Sequence, residues 1–273
     1  MKKTNQKLPE LNRKYIMEHK CESERLIRKV NIPRFINKYL KKHLNNSQKI
    51  LDVGCGPGHI SAQIANMYSG IEVTGVDISE QRINDGIEYF NYHKNLTLIS
   101  GDAQELPFKN NSFDFVFSRF MLEYVKDPRK AVNEMVRVCK NGGQILVQDL
   151  DGQFLWHYPE DKNLMKKINF ALDVLKTTGF DPFVGRKLYW FLYNSGLSNI
   201  KVKSESYHLY PGKIDKENYK NWELKLDIIL NFLTEAVNKA NLQISKNDLL
   251  NYFLREDSLT YSVVFTVCGK KRG

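Results

Sequence analysis

The sequence predicts a doubly wound α/β fold, with seven strands and helices on both faces of the sheet. Three observations carry this. First, the apolar run Ile50-Leu51-Asp52-Val53 breaks into glycines at 54, 56 and 58, then passes into a helical pattern with Ile60, Ile64 and Met67 on one face. Strand, glycine turn and helix form the opening unit of such a fold, and its ligand lies outside the carboxyl ends of the strands, at a helix N-terminus. Second, strand and helix patterns alternate from there to about residue 150. Third, two alternating runs near the C-terminus, 199–207 and 259–268, read as an antiparallel pair on one edge.

Taken in order, residues 1–10 lack periodicity, and 14–44 read as two amphipathic helices broken near Asn31-Ile32-Pro33. The glycine loop follows the pattern G-x-G-x-G, where dinucleotide sites use G-x-G-x-x-G. Asp52 stands two residues before the first glycine, a position that suits a cation better than a pyrophosphate. A second strand, 72–77, ends in Asp77, 21 residues after Gly56. An acid at that distance accepts hydrogen bonds from the two hydroxyls of a ribose. Ser79 reads as the N-cap of a helix with Ile83, Ile87 and Phe90 inside. A third strand, 96–100, leads into Gly101-Asp102-Ala103-Gln104, and Asn110-Asn111-Ser112 turns into a fourth strand, 113–118. The helix from Pro128 to Lys140 is expected to stop at Asn141-Gly142-Gly143, before a fifth strand over 144–150. Residues 151–181 read as an aromatic-rich connection, and 183–196 as the last core helix. The segment 211–258, between the last two strands, reads as a helical insertion with two apolar stripes, one through Trp222, Leu226, Ile229 and Leu233, the other through Leu224, Ile228 and Phe232.

Asp52-Val53-Gly54-Cys55-Gly56-Pro57-Gly58, followed in order by Asp77, Asp102 and the segment after the fourth strand, resembles the motif series of class I S-adenosylmethionine (SAM) dependent methyltransferases of the small-molecule type. The resemblance runs to about residue 150. It implies a Rossmann-like seven-stranded methyltransferase sheet over 49–210 and 259–273, an N-terminal helical lid over 1–48, and SAM as cofactor with S-adenosylhomocysteine as product. It implies that Asp52, Gly54, Cys55 and Gly56 border the cofactor, that Asp77 and Ile78 flank its ribose, and that Asp102, Ala103 and Gln104 meet its adenine. Ser118, through its carbonyl, would hold the ammonium of the methionine end. Arg119, Tyr15 and Arg25 would meet its carboxylate. The insertion 211–258 is expected to cover the substrate.

Composition narrows the alternatives. The formal charge of +10 is concentrated at the N-terminus: residues 1–48 carry 13 Lys/Arg against 4 Asp/Glu, whereas 49–150 carry 10 against 13. The basic residues there interleave with apolar ones, as on a solvated helix face, so nucleic acid is not the expected partner. The four cysteines are scattered, and the six histidines show no ligand spacing, so no metal is expected. No apolar run reaches a membrane span and no signal peptide is visible, so a cytoplasmic monomer or homodimer is expected.

Methyl transfer from a sulfonium is an in-line displacement that needs positioning, and a base only where the acceptor carries a proton. His157 and Asp149 are the candidates for such a base, and Trp156, Tyr158 and Trp222 for an apolar acceptor pocket. The expected function is methylation of a small molecule at O, N or C. RNA or protein methylation, SAM binding without catalysis, and an NAD-dependent oxidoreductase are the alternatives; the glycine spacing and Asp52 count against the last.

Overall fold

The structure is a computed structural model; it describes residues 31–239 and 245–273, and the side chains of all these but 153–154 and 235–239. Tyr15 and Arg25 lie outside the described residues. Seven strands form one sheet in the order β3-β2-β1-β4-β5-β7-β6. These are β1 (Lys49–Val53), β2 (Glu72–Asp77), β3 (Leu96–Ser100), β4 (Phe113–Arg119), β5 (Cys139–Tyr158), β6 (Ser198–Pro211) and β7 (Leu259–Lys270). The first five run parallel, and β7 is antiparallel to both β5 and β6. The order reverses between β1 and β4, which places the ligand crevice above the carboxyl ends of those strands.

The helices are α1 (Ile32–Phe35, continued by a π turn over Ile36–Leu40), α2 (His59–Met67), α3 (Glu80–Phe90), α4 (Pro128–Val138), α5 (Lys162–Lys176), α6 (Leu188–Asn194), α7 (Lys216–Lys239) and α8 (Lys246–Phe253). Their starts follow from capping chemistry. Ser79 caps α3, Asp127 caps α4 with Pro128 behind it, and Ser245 forms a reciprocal box with Asp248 on α8. One face of the sheet packs Leu51, Val53, Val116, Ile145 and Val147 against α4 and α6. The other packs Ile50, Val73, Phe115, Phe117 and Leu146 against α2 and the segment 32–44.

Two expectations are corrected. The chain leaves α4 at Val138, and Cys139 already pairs with Phe113; Asn141-Gly142-Gly143 forms an irregularity early in β5 rather than a helix cap. Residues 151–181 are not a loose connection. β5 runs on to Tyr158, because β7 continues alongside it, and Asp161 then caps α5. The segment 211–258 holds two helices among the described residues, α7 and α8. Both stripes of α7 are used, with Trp222, Leu226, Ile228, Ile229 and Leu233 buried in a third core that joins α5, α7 and α8 above the carboxyl edge. Tyr124 and Tyr210 pack on that core from the sheet side.

Candidate active site

The glycine loop is clamped to β2. The N–H groups of Gly54 and Cys55 donate to the Val76 carbonyl at 2.8 and 3.1 Å. Gly54 has φ +75°, and a Cβ there would lie 2.4 Å from Cγ of Met121. The loop and the segment after β4 therefore touch with no room between them. Asp77 at the end of β2 accepts from the Gly56 N–H at 2.8 Å and the Ser79 N–H at 3.0 Å, with the Arg82 guanidinium 3.6 Å away. Ile78 beside it is 56% exposed, an apolar side chain turned outward at the mouth of the crevice.

Asp52 is buried, and among the described residues its one side-chain donor is Ser61 Oγ at 2.7 Å. Burial pushes this carboxyl up to about 7, the Ser61 bond opposes that, and Asp77 adds to it. An under-compensated carboxyl of this kind favours a cation brought beside it. Burial likewise pushes the Cys55 thiol well up, and it sits as a neutral group against the Gly56 carbonyl at 3.4 Å. Beyond β3, Asp102 is exposed and accepts from the Gln104 N–H at 2.8 Å, with Ala103 half-buried between them. The Gln104 side chain accepts from the Asp127 N–H at 3.0 Å and so fixes this loop to the start of α4.

At the end of β4, Ser118 is fully buried, and its hydroxyl has no hydrogen-bond partner among the described residues. Arg119 donates from Nε to the Gln148 side chain at 3.0 Å, and its guanidinium lies 4.0 Å from the centre of the Phe120 ring and 4.9 Å from that of Phe35. Burial lowers its affinity for the proton, against which the Tyr207 phenol, Asp149 and Tyr39 act. Asp149 is fully buried and accepts from the Leu150 N–H at 2.9 Å and the Glu123 N–H at 3.3 Å. Burial first, and the neighbouring Glu123 charge second, hold it well above the usual carboxylate range. Glu123 is itself 2% exposed.

An aromatic wall climbs from this point. Ring centres step from Phe120 to Tyr207 (5.3 Å), Tyr207 to His208 (4.4 Å) and His208 to Trp222 on α7 (4.9 Å). Trp222 also donates from Nε1 to the Tyr210 hydroxyl at 3.2 Å. Phe120 and His208 both have positive φ, 54° and 47°. Strain of that kind concentrates at functional sites.

The crevice thus brings together Asp52, the glycine loop, Asp77, Ile78, Asp102, Ala103, Gln104, Ser118, Arg119 and Asp149. The two candidate bases, His157 and Asp149, stand apart. Asp149 pairs with Phe265 and His157 with Thr260, five residues along β7 and roughly 16 Å at strand rise. His157 is anchored there, with Nδ1 2.9 Å from the Thr260 hydroxyl and its ring against Tyr252 and Phe253. Trp156 and Tyr158 alternate with it and face the other way. Trp156 stacks on Tyr261, and Tyr158 is 72% exposed, so neither accompanies Trp222. Glu123, Phe120, Tyr207 and His208 were not singled out from the sequence. Phe120 meets Tyr207 only because β6 returns beside β7, some 85 residues on, and nothing local signals that; Glu123 meets Asp149 across the neighbouring β4 and β5. Among the described residues, no group of three or more His, Cys, Asp or Glu is arranged to hold a metal ion.

Residues 51–147 match the methyltransferase domain family. A demethylmenaquinone methyltransferase of Staphylococcus haemolyticus is 31% identical over 175 residues, which cover 59% of this chain and 73% of that protein. The chain belongs to the class I SAM-dependent methyltransferases. A second relative, the demethylmenaquinone methyltransferase of Staphylococcus aureus strain MRSA252, is 40% identical over 104 residues, 38% of this chain and 43% of its own length. Among solved structures, a putative methyltransferase from Bacillus halodurans superposes with a TM-score of 0.58 at 17% identity, over 89% of this chain and 99% of that one. A Haemonchus contortus phosphoethanolamine N-methyltransferase, solved with S-adenosylhomocysteine, gives 0.56 at 20% identity, over 86% of this chain and 51% of its own. These structures share the fold of the methyltransferase.

Proposed function

We propose that this methyltransferase acts on a small, largely apolar acceptor held between the carboxyl edge of the sheet and the helical cover. The aromatic wall from Phe120 to Trp222 carries the reading. It supplies flat apolar surface from the cofactor crevice up to α7, as small-molecule sites do. The acceptor named by the relatives, demethylmenaquinone, is the first compound to assay.

The crevice fits the cofactor on its own chemistry. The carboxylate of Asp77 would accept from the ribose hydroxyls, with the exposed Ile78 packing on the adenine and Asp102 with the Ala103 N–H meeting its edge. Asp52, short of donors, would face the positive methionine end, and Arg119 its carboxylate. Bound there, SAM supplies a methyl group already activated by the sulfonium charge. Met121, closed on Gly54, and Phe120 would wall off water and hold the acceptor in line. A hydroxyl, ammonium or ring carbon gives up a proton in the transfer. Glu123 would take it, with Asp149 behind it as a positioning residue. His157, Trp156 and Tyr158 take no part.

Incubation of the purified protein with SAM and demethylmenaquinone, naphthols, catechols and amines, with S-adenosylhomocysteine as readout and RNA and protein as controls, tests the reading. Turnover confined to small aromatic acceptors is expected. Turnover only on RNA or protein, or SAM binding with no turnover on any acceptor, overturns it.

A further inference from the structure

Opposite the aromatic wall, the methyltransferase carries a second aromatic surface that the transfer reaction does not use. Seven aromatic side chains among the described residues are prominently exposed, and five of them, Tyr158, Tyr189, Trp190, Tyr193 and Tyr261, lie on one face. The face is continuous. In the β5–β7 ladder, Trp156 lies opposite Tyr261 and Tyr158 opposite Leu259, so these four side chains share one side of the two strands. Trp156 reaches Phe183, ring centres 6.5 Å apart, and the Arg186 guanidinium lies 4.6 Å over Phe183. One helical turn further, at i+3 and i+4 from Arg186, come Tyr189 and Trp190. Tyr193 stacks on Tyr189 at 6.1 Å, and Arg129 lies 5.0 Å over Trp190.

Burial would be the default for such rings, and a contiguous exposed set marks a contact surface. Tyr and Trp place an apolar body and a polar tip together, which suits the boundary between lipid chains and headgroups. The charges at the helical end of the set are positive, whereas Glu160, Glu256 and Asp257 stand exposed beside its strand end. Lys126, Arg129 and Lys130 stand exposed at the start of α4, against Asp127, whose carboxylate is engaged in capping the helix. Arg186 and Lys187 are matched by Asp151 and Asp181. No helix among the described residues is long and apolar enough to cross a membrane, so the surface suits a face that lies on a bilayer.

We propose that the face formed by α6 and the outer ends of β5 and β7 docks on an anionic lipid surface. Docked this way, the protein presents a side that borders the carboxyl edge, since Gly185 at the foot of α6 packs against the Leu150 carbonyl at the top of the parallel part of β5. An apolar acceptor dissolved in the bilayer would then be within reach, but the docking itself does not depend on which acceptor is used.

The test is flotation of the full chain with phosphatidylcholine vesicles carrying about a third phosphatidylglycerol, with pure phosphatidylcholine as control. Comigration is expected on the anionic vesicles at low salt, with release at about 0.5 M salt. The double substitution Trp190→Ser, Tyr193→Ser should lower the bound fraction about tenfold and leave SAM affinity unchanged. Brominated lipid should quench tryptophan fluorescence in the native chain, and the Trp190→Phe variant should lose most of that quenching. No flotation, or flotation that survives the double substitution as it would if the basic N-terminus alone bound lipid, overturns the proposal. A concentration-dependent dimer abolished by the same substitution, without lipid binding, would assign the face to a second copy of the chain.

Discussion

Asp52 is a buried carboxyl held at the expense of stability. Its carboxyl is raised from 3.8 to about 7 by burial. Between those two values the unfolded chain gives up this proton before the folded one, so stability falls as pH rises through the window and levels off above it. The shift corresponds to roughly 4 kcal/mol at most. Asp52→Asn should therefore raise the melting temperature of the protein alone at pH 8, and SAM should no longer raise it further, as a thermal shift series would show. A cation beside Asp52 favours the ionised form. SAM binding in the native chain should therefore release protons below pH 7 and strengthen with pH up to that point, which calorimetry in buffers of different ionisation heat measures. Asp77→Ala removes the acceptor for Gly56 and for the proposed ribose contact, and should weaken SAM binding by about 1.5–3 kcal/mol. Unchanged affinity would take Asp77 out of the ribose site. Glu123→Gln should cut kcat about a hundredfold with SAM affinity kept, and remove the acidic limb of the pH–rate profile; an unaltered limb would return Glu123 to a structural role.

Among the elements, the glycine loop is the most constrained. Gly54→Ala sets a Cβ against Met121 at a left-handed φ, so the loop or the 121–124 turn must move. A stability loss of about 1–3 kcal/mol is expected in chemical denaturation, with SAM affinity falling more steeply than stability because the loop itself shifts. The strand–glycine–helix unit and the Ser79 cap were legible in the sequence because both are local. A strand must end, a helix must have its first N–H groups satisfied, and the residues that do this are adjacent. The distal half of β5 was not legible. Gln148 to Tyr158 contains no clean apolar alternation, and its strand form follows from pairing with β7, a hundred residues on. The division of the insertion into α7 and α8 was visible only as the box Ser245-x-x-Asp248, whose meaning depends on a helix following it.

At the scale of the whole molecule, the methyltransferase sheet supplies a rigid crevice at the strand reversal, and α5, α7 and α8 form a separate apolar core over its carboxyl edge. Trp222 joins the two, buried in that core while its Nε1 reaches Tyr210 on β6. Trp222→Ala should cost about 3–5 kcal/mol of stability in chemical denaturation. It should also raise KM for the acceptor more than the affinity for SAM changes, because α7 then loses its tie to β6.

The sequence by itself determined the family and the opening strand, glycine turn and helix, and it set Asp52, the glycines, Asp77 and Asp102 at strand ends whose order is written along the chain. The tertiary structure alone decided what stands around the carboxyl end of β4. Glu123 meets Asp149 across the neighbouring β4 and β5, and Phe120 meets Tyr207, which leads on to His208 and Trp222, because β6 and β7 fold back beside β5. The same pairing carries His157 away from the crevice and turns Trp156 and Tyr158 to the outside. The physical reason is that strand periodicity fixes which residues share a face, while only the register between distant strands fixes which face meets the ligand.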